Sequence, residues 1–122
     1  MPTSRPSPPL SAARTNDVIN SLITNGRYQD AIDLATRVDA QDRDDTSRLL
    51  IEINVAEAEY NQGRWDLAEA RMLAFGHRCE RAPITRAGCR LQRAWILAHT
   101  SRGAEAVALC ESVDVRWLPV LY

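Results

Sequence analysis

An all-α fold, arranged as an array of three antiparallel helical hairpins, is what the 122-residue chain predicts, and two observations predict it. Apolar residues recur at helical spacing in six segments, and no segment alternates with period two for long enough to make a strand. The chain also repeats itself. The passage from Ala56 to Phe75 carries a helical pattern to Tyr60, breaks it at Asn61-Gln62-Gly63 and restarts it at Trp65. A shorter version, Asn25-Gly26-Arg27-Tyr28-Gln29-Asp30-Ala31, stands 37 residues earlier, and a blurred one, Ser101-Arg102-Gly103-Ala104-Glu105-Ala106, stands 38 residues later. Self-similarity at a fixed period reads as a stack of supersecondary units that bury their apolar faces against one another.

The elements follow in order. Residues 1–12 hold four prolines and three serines, a composition that does not repay the entropy of ordering, so residues 1–13 are expected to form a disordered Pro/Ser-rich arm. Thr15 or Asn16 is expected to cap a first helix, whose stripe is Val18, Ile19, Leu22 and Ile23. Asn25-Gly26 closes it, because both residues tolerate the left-handed conformation. A second helix runs from Tyr28 to about Asp39, with Ala31, Ile32, Leu34, Ala35 and Val38 inward. The acidic connector 39–46 leads to a third helix, started by Thr46 or Ser47, with Leu49, Leu50, Ile53, Ala56 and Tyr60 as its stripe. The fourth runs from Trp65 to Cys79 over Leu67, Ala68, Met72 and Phe75. Pro83 opens the fifth, since a missing N–H is harmless in a first helical turn; its face is Leu91, Ala94, Trp95 and Ala98. Ser101 caps a short sixth helix carrying Ala106, Val107, Leu109 and Cys110. Residues 14–113 thus form the helical domain and residues 114–122 an apolar tail.

Composition removes several function classes. The net charge of −1 disfavours a general nucleic-acid coat. All fifteen basic residues are arginine, so lysine Schiff-base chemistry is excluded. No apolar run reaches the ~18–20 residues of a membrane span. Three cysteines without a closely spaced pair argue against a disulfide framework and for a reducing, cytoplasmic setting. His77, Cys79, Cys89 and His99 lack the paired spacing of a zinc site, and neither a phosphate-binding glycine loop nor a nucleophile elbow is present. No metal, no cofactor and no catalytic residue is expected.

Gly26, Tyr28 and Ala31, then Gly63, Trp65 and Ala68, then Ser101, Gly103 and Ala106 give each unit a character that resembles the tetratricopeptide repeat, a helix–turn–helix of about 34 residues. The glycine permits the tight turn, the aromatic wedges between helices and the alanine lets two helices approach. The units here are longer than the family norm, none carries the closing proline in its usual place, the third lacks the aromatic, and Arg93 falls where a buried leucine is preferred. The resemblance implies a fragment of an α-solenoid whose first helices line a concave, peptide-holding face. Position by position, that lining comprises Asn20, Ile23, Ile53, Asn54, Glu57, Tyr60, Leu91, Gln92, Trp95 and His99. Asparagine and glutamine suit it because one amide can bridge a peptide N–H and C=O, and Trp95 supplies a rigid anchor.

Two further features bear on partners. Seven acids lie between Asp39 and Glu59, and six arginines between Arg78 and Arg102. Arg86, Arg90 and Arg93 are spaced to share one helix face, which is either an anion site or a solvated face paired with the acidic half of this or another copy. The tail side chains Trp117, Leu118, Leu121 and Tyr122 are expected to fold back on the third hairpin or to dock on another copy or a partner, because a stack without a polar end leaves apolar surface in water. The expected function is a non-catalytic adaptor or chaperone that binds a partner protein or peptide. The alternative is the sensor part of a bacterial transcription regulator, touching nucleic acid or an anionic ligand through the arginine face.

Overall fold

The computed structural model describes residues 10–100 and 102–117. Among them lie six α-helices: α1 (Ala12–Thr24), α2 (Tyr28–Ala35), α3 (Asp45–Asn61), α4 (Trp65–Cys79), α5 (Pro83–His99) and α6 (Gly103–Glu111). A 3-10 turn, Val115–Trp117, follows, and no β-strand occurs among the described residues. The fold class is all-α; α4 has the bounds that periodicity sets, and α5 opens at Pro83 as expected.

The start of α1 lies earlier than its expected cap. Ser11 is extended and its Oγ accepts the Arg14 N–H, while Asp42, thirty residues on, accepts the Ala12 N–H at 2.8 Å. Two of the free N–H groups of the first turn are thereby satisfied. Thr15 is instead buried within the helix, its hydroxyl donating to the Ser11 carbonyl at 2.6 Å. The boundary drawn at residue 13 therefore falls inside α1, and residues 1–9 of the expected arm lie outside the described residues. Helix α2 stops short of Asp39, because the Arg37 N–H closes on the Leu34 carbonyl and Val38 turns away to face Leu10. Two backbone hydrogen bonds, Asp39 N–H to the Leu10 carbonyl at 2.8 Å and Leu10 N–H to the Arg37 carbonyl at 3.4 Å, hold that contact. Helix α3 starts one or two residues before the expected Thr46 or Ser47, since Asp44 accepts both the N–H and the hydroxyl of Ser47. The expected cap Ser101 lies outside the described residues.

The α1/α2, α3/α4 and α5/α6 turns share one hydrogen-bond scheme. The N–H of Arg27 donates to the Leu22 carbonyl at 2.8 Å, that of Arg64 to Glu59 at 2.9 Å and that of Arg102 to Leu97 at 2.9 Å. Each bond spans five residues and collects a carbonyl left over at the end of a helix, as in the Schellman closure. In the first two turns the residue before the arginine is a glycine in the left-handed region, Gly26 at φ 75° and Gly63 at φ 83°. One helical turn beyond each arginine stands a buried alanine, Ala31, Ala68 or Ala106, which lets the paired helices approach.

Packing runs along the chain. Helix α1 contacts α2 and α3; α3 also contacts α2, α4 and α5; α5 contacts α4 and α6. Helix α3 is covered on two flanks. Ile51 and Val55, absent from the stripe read in the sequence, join Ala12, Ile19 and Ala31 in one cluster. Leu49, Ile53, Ala56 and Tyr60 join Ala68, Met72, Cys89 and Ile96 in another. Buried between α3 and α4, Glu59 is 2 % exposed and accepts from the Arg71 guanidinium at 2.6 Å, while Glu52 accepts from the same guanidinium at 2.5 Å. Burial works against the Arg71 charge, but its hydrogen bonds to Glu59 and Glu52 outweigh burial and hold its pKa above the ordinary value.

Two stability outcomes follow. In urea unfolding, Gly26→Ala and Gly63→Ala should each cost about 1 kcal/mol, because Ala resists positive φ, whereas Gly103→Ala, at an open helical position, should stabilise by up to about 1 kcal/mol. Arg71→Met strands a buried carboxylate and should cost about 3–5 kcal/mol. A loss under 1 kcal/mol would show that water reaches Glu59.

Candidate functional site

Because α1, α3 and α5 lie side by side, residues one turn apart on each can line a common trough. Such a trough of about 810 Å³ is present, lined among others by Asn16, Asp17 and Asn20 of α1, Asn54, Glu57 and Asn61 of α3, and Gln92 of α5. Of the residues singled out from sequence, Asn20, Asn54, Glu57 and Gln92 come together here, with Ile23 and Ile53 on the floor. Asn16, Asp17 and Asn61 were missed. The repeat could have supplied one of them, since Asp17 stands 37 residues before Asn54.

The amides are partly organised. Asn54 Nδ2 donates to Asn16 Oδ1 at 2.7 Å, tying α3 to α1 and leaving each amide a further donor and acceptor. Asn61 Nδ2 donates to the Glu57 carbonyl at 2.8 Å. Gln92 is only 4 % exposed, and among the described residues no hydrogen bond satisfies its amide, which borders the trough. No side-chain nitrogen or oxygen among the described residues is both fully buried and unpartnered, so the Gln92 amide opens on the water of the trough, which a polar group of a ligand can replace. Among the described residues, Asp17 and Glu57 are the charged groups of the lining, and no basic side chain shares it. Burial raises the Glu57 pKa above its ordinary value of 4.5, against a smaller opposing effect of its hydrogen bond with Tyr60.

Tyr60, Trp95 and His99 lie elsewhere than the sequence reading placed them. They form an aromatic cluster with Trp65, the Trp65 and His99 rings stacked at 4.5 Å and Trp95 at 4.6 Å from His99. Tyr60 meets Trp65 at 5.1 Å and Trp95 at 6.4 Å. Trp95 stays 52 % exposed and lines a second, apolar depression of about 620 Å³ between α5 and α6, beside Leu91, Ala98, Val107 and Cys110. Glu57 and Gln92 border both hollows. The single concave lining expected from sequence is therefore two surfaces, one of amides and one apolar.

The three arginines do not assemble into one site. Arg90 is engaged by Glu80 at 2.7 Å and by the Ser112 carbonyl at 3.0 Å. Arg86 borders a small depression with Arg90 and Asp114, whereas Arg93 borders another with Glu69 and Arg102. Of the other basic groups, Arg78 pairs with Asp45 of the acidic stretch and Arg102 with Glu69 of α4. Of the expected docking residues, Leu118, Leu121 and Tyr122 lie outside the described residues, and Trp117 is described by its backbone alone. No three His, Cys, Asp or Glu side chains converge as metal ligands among the described residues, and no described helix is long and apolar enough to cross a membrane.

Compared with protein-family models, with curated proteins and with solved structures, the chain matches none.

The Glu57 carboxyl supplies a pH test. A pKa raised in the fold means that the folded state holds the proton more firmly, so ionised Glu57 subtracts stability as pH rises through the folded value. Glu57→Gln should therefore raise the urea midpoint at neutral pH, and the gain should vanish below the ordinary carboxyl pKa of 4.5. A variant destabilised equally at both pH values would contradict this.

Proposed function

We propose that the chain is a non-catalytic interaction module, a tetratricopeptide-like array of three helical hairpins that holds an extended segment of a partner protein in the amide trough. The observation that carries this reading is Gln92, a residue only 4 % exposed whose amide opens on the trough and has no hydrogen-bond partner among the described residues. A peptide backbone offers the N–H and C=O that such an amide accepts and donates to, and Asn20, Asn54 and Asn16 extend the same chemistry along the trough. The recurring turn scheme at Arg27, Arg64 and Arg102 supports the array.

Charge sets the preference among peptides. With Asp17 and Glu57 in the lining and no basic group among the described residues, neutral and basic segments are favoured over acidic ones. An adaptor or an assembly chaperone fits this, since both hold a segment without altering it. Free thiols at Cys79, Cys89 and Cys110 suit a reducing compartment such as the cytoplasm. The alternative, an anion or nucleic-acid face on Arg86, Arg90 and Arg93, is weakened by the engagement of Arg90 with Glu80 and Ser112.

Pools of basic, neutral and acidic peptides, titrated against the protein by fluorescence anisotropy, test the proposal. The basic and neutral pools should bind more tightly than the acidic one. Asn54→Ala and Gln92→Leu should each weaken binding about 3–10-fold, the size of one or two lost hydrogen bonds. Arg90→Glu should leave it unchanged. Binding insensitive to both trough variants, or confined to acidic peptides and lost with Arg90→Glu, would refute the proposal.

A further inference from the structure

Cys79 closes α4 and Cys89 stands in the second turn of α5, and the two are buried in one cluster. Glu80, Arg81 and Ala82 alone separate the helices. The bend is pinned by Thr85, wholly buried, whose hydroxyl donates to the Cys79 carbonyl at 2.8 Å. Inside it the two thiols meet, hydrogen-bonded to one another. Both are free thiols. Gly76 gives them a point of approach. It lies three residues before Cys79, so the two share a face of α4, and it is part-exposed. A Cβ built on Gly76 would meet the Cys89 sulfur at 3.9 Å and, among the described residues, no other neighbouring segment within 4 Å. The space that another residue's side chain would occupy therefore leads to that sulfur.

We propose that Cys79 and Cys89 form an oxidation site, where a peroxide entering beside Gly76 converts the two thiols into a disulfide that staples α4 to α5. Cys89 reacts first. Its sulfur attacks one peroxide oxygen, the O–O bond breaks, and the hydroxide released takes the Cys89 proton to leave as water. Cys89 is then a sulfenic acid. The Cys79 sulfur attacks it, the S–S bond forms as the S–O bond breaks, and a second water departs with the Cys79 proton. Two thiols are oxidised by two electrons and one peroxide is reduced to two waters. The order follows from the asymmetry of the pair. The hydrogen bond from Cys79 lowers the Cys89 pKa against the opposing effect of burial, and the Arg93 charge assists. The same hydrogen bond, together with burial, raises the Cys79 pKa. The thiolate is the reactive form, so Cys89 is the nucleophile and Cys79 the resolving thiol. In a reducing compartment the pair stays as thiols until an oxidant arrives. The site is independent of what the amide trough holds.

Hydrogen peroxide added to the folded full chain, followed by alkylation of remaining thiols in urea and digestion with trypsin, tests this. Cleavage after arginine places Cys79 on the peptide 79–81 and Cys89 on the peptide 87–90. The two peptides should be recovered joined, should separate on treatment with a thiol reductant, and should come from a monomeric chain. Gly76→Ala sets a methyl group against the Cys89 sulfur and should slow the joining at least ~3-fold. Gly103→Ala is also expected to favour its helix but lies away from the pair, and it should leave the rate unchanged. Recovery of both peptides as alkylated thiols, with oxidation confined to the exposed Cys110, would overturn the inference. So would a Gly76→Ala rate equal to that of the parent chain or of Gly103→Ala, since the oxidant would then reach the sulfurs by another route or through unfolding.

Discussion

Helix α3 is apolar on two flanks, and that constraint orders the rest of the chain. A helix with one oily stripe is satisfied by one neighbour, but Ile51 and Val55 on one side and Ile53 and Ala56 on the other require cover from both directions. Helices α1 and α2 supply it from before, and α4 and α5 from after. Glu59 and Glu52 sit on this same helix and pair with Arg71 of α4. A buried carboxylate tolerates only an arrangement that keeps its partner in place, so it selects one docking of α4 among the several that apolar contact alone would permit. Burial supplies the drive and the charge supplies the register.

What the residues disclosed, and what they withheld, follows from the range of the interaction concerned. The turns were legible because Gly26 and Gly63 announce a left-handed residue at a fixed distance from an aromatic and an alanine. The opening of α5 was legible because Pro83 acts on its own backbone. The end of α2 was not. Val38 continues the apolar period, and only the arrival of Leu10 from far back in the chain draws it out of the helix. Ile51 and Val55 escaped for a related reason, since a search for one stripe discards residues that fall off it. The cap at Ser11 was hidden because Asp42, a residue of the acidic connector, completes it.

The candidate site divides along the same line. Asn20, Asn54, Glu57 and Gln92 all border the trough; Glu57 stands 37 residues after Asn20 and Gln92 stands 38 after Asn54, so the two pairs fall at matching places on successive helices. Trp95 and His99 did not join them, although their helix is the right one. Both sit toward the end of α5, where Tyr60 and Trp65 offer ring faces that a flat imidazole and an indole prefer to water. Side-chain affinity there overrides backbone placement. The arginines show the electrostatic counterpart. Spacing put Arg86, Arg90 and Arg93 on one helix, but Glu80 and Ser112 take Arg90 and the other two face different depressions.

The pairing of Leu10 with Val38 gives the molecule a mechanical handle. Tension applied at residue 10 meets two backbone bonds, to Arg37 and to Asp39, and the Ala12–Asp42 bond before it reaches the body of α1. The connector in turn is gripped by the Arg48 guanidinium of α3, which takes the Asp39 carbonyl at 3.0 Å. A pull at that point is therefore shared among three segments instead of peeling one helix from its end, and the strand-like clasp behaves as a strain relief for the first pair of helices.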